Sequence, residues 1–374
     1  MRPVTRGGVP GTYPNDIRLD TEAHLQTDAS ATTWHFYGTY IRRAFGTQHP
    51  TLWQLMNNAL LRIARDTAAG NASPARYTNV EDRIWTRLSD NVNGYKAAQH
   101  GLLGRLGSFC SYCEQYMPGA IAIEHCIPKA RYPLFTLCWD NFLLSCNACN
   151  LASGKGQKPS RNTANGWGPF ADEVELYDGI RDRYFWPDVD DNSYRALWPR
   201  LMYRGNNGLW NEFAGNNAVR AGTVRQADDL PTRTIEARIY VNHAWHDNVE
   251  VSCQLHTPNP EAVRSVPFYG LDRDGTATPA ITDRRMYNRT LAWLQVLTAV
   301  QPFMGPINAV TFNAFWPGLI QSVRTTGFFS VWVRVLDMLG ATNQNVPGTR
   351  QTIMARFLND IAADFPGTDF TAVP

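Results

Sequence analysis

An α+β chain, mainly helical and built around one small metal-stapled module, is what this sequence predicts, on three observations. Two Cys-x-x-Cys knuckles, Cys110–Cys113 and Cys146–Cys149, bracket a short stretch that carries Glu124-His125 and Asn141. Thiolates at i and i+3 can reach one ion from a tight turn, and two such turns complete a tetrahedral shell suited to zinc. Apolar residues then recur at helical spacing over four long stretches near the C-terminus. Between module and helices, Thr234–Val241 and Val249–Leu255 alternate apolar and polar residues around a short connection, as a β-hairpin does.

The chain has 374 residues, 44% hydrophobic and 18% charged. It is therefore globular rather than disordered, with length for roughly two or three domains. We divide it into an N-terminal arm and helical region (1–103), the metal-stapled module (104–165) and a mainly helical C-terminal domain with the hairpin (166–374). Pro3, Gly7, Gly8, Pro10, Gly11 and Pro14 break regular structure and predict an extended arm over residues 1–30. Helices follow over Thr51–Ala64, where Trp53, Met56, Leu60 and Ile63 share a face, then over Val80–Leu88 and Tyr95–Leu106, with a loop over 68–77. The C-terminal helices are expected over Asp283–Val300, Pro306–Thr325, Phe328–Leu339 and Thr349–Ala363.

Charge and cysteine usage narrow the function. Net charge is only +2, so nucleic-acid binding requires a local basic patch. One exists: three of the four lysines fall in the module, and Lys155, Lys158 and Arg161 directly follow the second knuckle, where they can meet phosphates. The start, Met1-Arg2-Pro3, shows no signal-peptide pattern, and no apolar run is long enough to span a bilayer. A cytoplasmic location is expected, and there four closely paired cysteines favour metal over disulfide. Cys126 and Cys138 fit neither knuckle and read as packing residues. His24, His35, His49 and His100 have no partner at ligand spacing, nor do His243, His246 and His256. Asp188, Asp190 and Asp191, flanked by Pro187 and Asn192, read as a turn.

The order Cys-x-x-Cys, Glu124-His125, Asn141, Cys-x-x-Cys-Asn150 resembles the zinc-stapled HNH endonucleases of the ββα-metal class. That resemblance implies a fold and a set of roles: a strand over Ala120–Glu124, where Ile121 and Ile123 alternate with smaller residues, a loop over Cys126–Asp140, a strand over Asn141–Ser145 and a helix from Asn147. His125 would be the general base, Asn141 would steady the loop, and Glu124 with Asn150 would bind the catalytic ion, with Asn147 as a competitor for the last role. Imidazole titrates near neutrality and can take a proton from water. Carboxylate and carboxamide oxygens suit a hard ion, Mg²⁺ or Mn²⁺, while Cys110, Cys113, Cys146 and Cys149 suit structural Zn²⁺.

Further runs resemble a bacterial subgroup that includes HNH proteins of retron and Septu-type anti-phage systems. They are Met1-Arg-Pro-Val4, Gly107–Glu114, Glu124–Lys129, Trp139–Cys146, Trp186–Asn192, Gly270–Arg273 with Asp283–Arg285, and Phe365–Thr368. This implies hydrolysis of foreign DNA, with an ATPase as partner. The rival expectations are an RNA-cleaving nuclease, which the same motif permits, and a catalytically silent zinc-ribbon adaptor that recruits the ATPase.

Overall fold

The computed structural model describes residues 1–2, 4–6, 96, 98–119, 121–127, 139–151, 155, 184, 186–188, 197–213, 221–226, 235–241, 244–256, 260–272, 284–303 and 306–370. The expected helices over Thr51–Ala64 and Val80–Leu88 lie outside these residues, as do His24, His35, His49, Cys138, Asp190, Asp191 and His243. The described part is α+β, with two antiparallel sheets and two hydrophobic cores.

The smaller core belongs to the cysteine module. Helix α1 (Ala98–Leu106) buries Ala98, Leu102 and Leu106, one residue per turn, against a two-stranded sheet. Strand β1 (Ala122–His125) pairs antiparallel with β2 (Phe142–Ser145), in the register Ala122 to Ser145 and His125 to Phe142. Every residue of β2 is buried. A single turn of helix, α2 (Asn147–Asn150), follows β2 directly.

The larger core is the C-terminal part, and here the sheet exceeds the expected hairpin. Five strands are present: β3 (Trp198–Arg204), β4 (Trp210–Glu212), β5 (Ala221–Gln226), β6 (Ile235–Val241) and β7 (Ala244–His256). Their order is β4-β3-β7-β6-β5, and all pairs are antiparallel. The β6–β7 pair is the hairpin expected from alternation: Ile235, Ala237 and Ile239 point into the core, as do Val251 and Cys253 of β7. Helix still exceeds strand among the described residues of this part, and the sheet adds β3, β4 and β5 to the expected pair. Pro199 in β3 and Gly222 in β5 hide those strands from a propensity reading.

Helix α3 (Pro260–Tyr269) was not expected. The four that follow lie close to expectation: α4 (Arg285–Val300), α5 (Ala309–Thr326), α6 (Phe329–Met338) and α7 (Ile353–Ile361). Helix α4 packs on β7 and on α6, and α6 packs on β3. Their starts follow capping chemistry. Asn308 accepts from Thr311 N at 2.9 Å to open α5, and Thr352 accepts from Ala355 N at 3.1 Å to open α7. Among the described residues no helix is long and apolar enough to cross a membrane.

Among the contacts that tie the cores together, two use backbone groups extensively. The first knuckle docks on the α5–α6 turn: Phe328 N donates to Glu114 O at 3.0 Å, and Ser330 N donates to Glu114 Oε2 at 2.7 Å. Glu114 therefore places a carboxylate at the N-terminus of α6, where the helix dipole favours it. Gly327 makes this approach possible. At φ 70°, a Cβ there would lie 2.8 Å from Glu114 O and 3.0 Å from Tyr116 N, both backbone atoms. Gly327→Ala is expected to lower stability by about 3 kcal/mol, combining backbone strain with a clash that cannot relax cheaply. Denaturant unfolding of the two proteins measures it.

The second contact is the N-terminal strand. The described residues 1–2 and 4–6 are not a loose arm: Met1, Arg2 and Val4 are buried. Arg2 donates to Leu106 O at 2.5 Å, Pro366 O at 3.1 Å and Thr368 Oγ1 at 2.8 Å. Val4 N donates to Pro187 O, and Thr5 N to Gly367 O. Arg6 donates to the carbonyls of Asp140 and Phe142 and pairs with Asp188 at 2.7 Å. The short runs Met1–Val4, Trp186–Asp188 and Phe365–Thr368, far apart in sequence, thus meet at one place beside β2.

Candidate active site and metal centre

Four thiols converge behind the strand pair. The Sγ atoms of Cys110, Cys113, Cys146 and Cys149 all lie within 4.8 Å of one another, and all four residues are buried. The six described cysteines carry no disulfide. A tetrahedral zinc with bonds of about 2.3 Å needs S–S edges of about 3.8 Å. Cys113 and Cys146 already stand 3.7 Å apart. The donor set and its geometry therefore fit a tetrahedral metal.

Local backbone structure sets the ligands. Glu114 N donates to Cys110 O at 2.9 Å and Cys110 N to Gln115 O at 3.0 Å, which curls the first knuckle. Ser111 N donates to Leu144 O at 2.8 Å and fastens that knuckle to β2. In the second, Cys149 N and Asn150 N both donate to Cys146 O, at 3.1 and 3.0 Å. Arg285, at the start of α4, donates to Cys149 Sγ at 3.6 Å and to Tyr269 O at 2.6 Å. A Zn²⁺ with four thiolates carries two net negative charges, so a buried guanidinium beside one sulfur offsets part of that charge. The sequence marked Arg285 only as part of the run Asp283–Arg285, with no sign that it faces the thiols.

Cys126 is buried in the same core but stands outside the four-thiol cluster. Among the described residues no other metal-binding group of histidines, cysteines and carboxylates occurs. His100, His246 and His256 are exposed.

The other sequence-selected residues sit at the mouth of the strand pair. His125 ends β1 opposite Phe142, whose ring meets the imidazole edge-on at 5.2 Å between centroids. Asn141 is fully buried and holds the chain just beyond His125: Ile127 N donates to its Oδ1 at 2.7 Å, and its Nδ2 donates to Ile127 O at 2.9 Å. Cys126 N adds a bond to Asn141 O at 2.8 Å. The side-chain amide thus acts as a two-point clamp at the exit from the His125 strand. Asn141→Ala is expected to cost about 2–4 kcal/mol, because both Ile127 groups would stay buried without partners. Asn141→Asp should be no better, since its second oxygen would face Ile127 O where an N–H is required. Unfolding curves of both variants with their zinc content check this.

Glu124, one residue before His125, is 2% exposed. Burial pushes its carboxyl up to about 7, against the opposing pull of Lys155. Lys155 lies 2.5 Å from Glu124 Oε1 and donates to His125 O at 2.8 Å, with its side chain 0% exposed. This corrects its grouping with Lys158 and Arg161 as a phosphate contact: a lysine buried on a carboxylate is not on the surface to meet DNA. Lys158 and Arg161 lie outside the described residues. Asn150 is half-buried on the last position of α2, and Asn147 is exposed at its first. As donors, the Glu124 carboxylate and a carboxamide oxygen fit a hard divalent ion by their chemistry.

No family model, no curated protein and no solved structure matches this chain.

Proposed function

We propose that the chain is a metal-dependent HNH endonuclease that hydrolyses DNA phosphodiesters, foreign DNA being its biological target and an ATPase its working partner. One observation carries this reading. The module folds as strand, strand and helical turn, with His125 closing the first strand, Asn141 clamping the chain beyond it, and the cysteine turn of α2 following the second strand at once. Residues separated by more than a dozen positions are brought to one strand end, which packing alone does not require.

In this reading His125 removes a proton from the attacking water, and Asn141 keeps the backbone around it rigid. Glu124 and Asn150 would hold Mg²⁺ or Mn²⁺. When bound, such an ion neutralises charge on the phosphate and on the departing oxygen. Zinc in the four-cysteine site has no chemical role; it fixes the second knuckle, and so α2, against β1.

The test is cleavage of supercoiled plasmid and of RNA, with Mg²⁺ or Mn²⁺ and with EDTA, by wild type and His125→Ala. Plasmid nicking that needs the ion and His125 is the expected result. Cleavage of RNA alone would move the substrate class. Cleavage of neither, by zinc-loaded folded protein, would leave the adaptor role.

A further inference from the structure

A buried lysine is tolerated only when it is paired and hydrogen-bonded. Lys155 meets both conditions inside the candidate site. Its backbone N donates to Cys149 O at 2.8 Å, which anchors it to the cysteine turn. From there its ammonium sits between the Glu124 carboxylate, at 2.5 Å, and the His125 carbonyl, at 2.8 Å. It touches the two residues to which the nuclease reading gives ion binding and proton transfer.

We propose that Lys155 is the resident counter-ion of this site, and that in the absence of nucleic acid a divalent ion binds Glu124 only in competition with its ammonium. The inference rests on the nuclease reading in taking Glu124 as an ion ligand. Two cations on one buried carboxylate repel each other strongly at these distances. The ion therefore binds weakly to the resting protein. A substrate phosphate supplies the negative charge that lets both cations stay, so ion binding and nucleic-acid binding reinforce each other. The device suits an enzyme that must stay inactive until nucleic acid arrives.

Mn²⁺ binding, read by electron paramagnetic resonance on the zinc-loaded full chain at pH 8 without nucleic acid, tests this directly. Lys155→Met and Lys155→Gln should each bind Mn²⁺ at least about tenfold tighter than wild type, a modest demand for removing a unit charge a few ångströms away. Lys155→Arg, which keeps the charge, should bind like wild type. Glu124→Gln should bind at least about tenfold weaker, having lost the negative ligand. Equal or weaker binding by the uncharged Lys155 variants, or unchanged binding by Glu124→Gln, overturns the proposal.

A measurement on the wild type covers the case in which those variants fail to fold. With four lysines in the chain, the ¹⁵Nζ signal of Lys155 can be assigned, and Mg²⁺ should shift it. A signal that Mg²⁺ leaves unmoved overturns the proposal. Protein with this order of affinities that cuts neither DNA nor RNA keeps the counter-ion and loses the nuclease reading. Protein that cuts DNA while Lys155 variants bind Mn²⁺ like wild type loses only the counter-ion.

Discussion

Cys110→Ser, or prolonged treatment with a strong zinc chelator, should unfold the module and not merely inactivate it. The wild type is expected to purify with one zinc per chain. The variant should lose the metal, and its solubility should fall with it. The reason lies in how little else holds the knuckles. The strands they support are four residues each, and α2 is a single turn. A helix of that length has no stability of its own, and a two-stranded sheet is marginal in water. Structural zinc sites supply roughly 10–16 kcal/mol of apparent binding free energy near neutral pH, and that energy is folding energy. Serine is a poorer ligand and leaves a buried hydroxyl among three thiolates.

The loss should also spread beyond the module. Glu114 adjoins Cys113 and binds the start of α6, while Arg285 of α4 contacts Cys149. Metal analysis and thermal unfolding of the wild type before and after chelation provide the measurement. Well-folded protein without zinc would dismiss the staple.

How much of this was legible in the sequence differs by kind of interaction. The thiol cluster was legible because ligand spacing is local: each knuckle supplies its own pair, and only their meeting needs the fold. The loop-holding role of Asn141 came only through the resemblance, in which the middle asparagine steadies the loop; its two bonds to Ile127 are set by the fold. The four C-terminal helices from α4 onward were legible through their amphipathic faces. Strand β3 was not, because Pro199 argues against a strand and its pairing with β7 joins residues as far apart as Trp198 and His256.

Lys155 was misread for a deeper reason. A lysine between two glycines looks solvated, and nothing local tells that its partner is the carboxylate of Glu124, on a strand much earlier in the chain. Arg2 and Arg285 share this trait. Their partners are carbonyls and a sulfur presented by tertiary structure, and a carbonyl has no signature in a sequence.

His125→Ala should lower plasmid cleavage by about 10²–10⁴-fold, the range expected when a positioned general base is removed. Zinc content should not change, because the imidazole is no part of the four-thiol cluster. Fold stability should change little. The side chain is 7% exposed and packs edge-on against Phe142, so alanine leaves a small gap at the strand end rather than a hole in the main core. The backbone carbonyl that accepts from Lys155 stays in place, as does the Asn141 clamp two residues on. Activity and stability therefore separate at this position, whereas they fall together in Cys110→Ser and Asn141→Ala. The kinetic pattern should be a lower kcat with DNA affinity nearly intact, since a general base acts mainly in the transition state. Single-turnover cleavage and a binding titration on the same variant give both numbers. An alanine variant that cuts at a near-normal rate would remove His125 from the mechanism and, with it, the chemical centre of the nuclease reading.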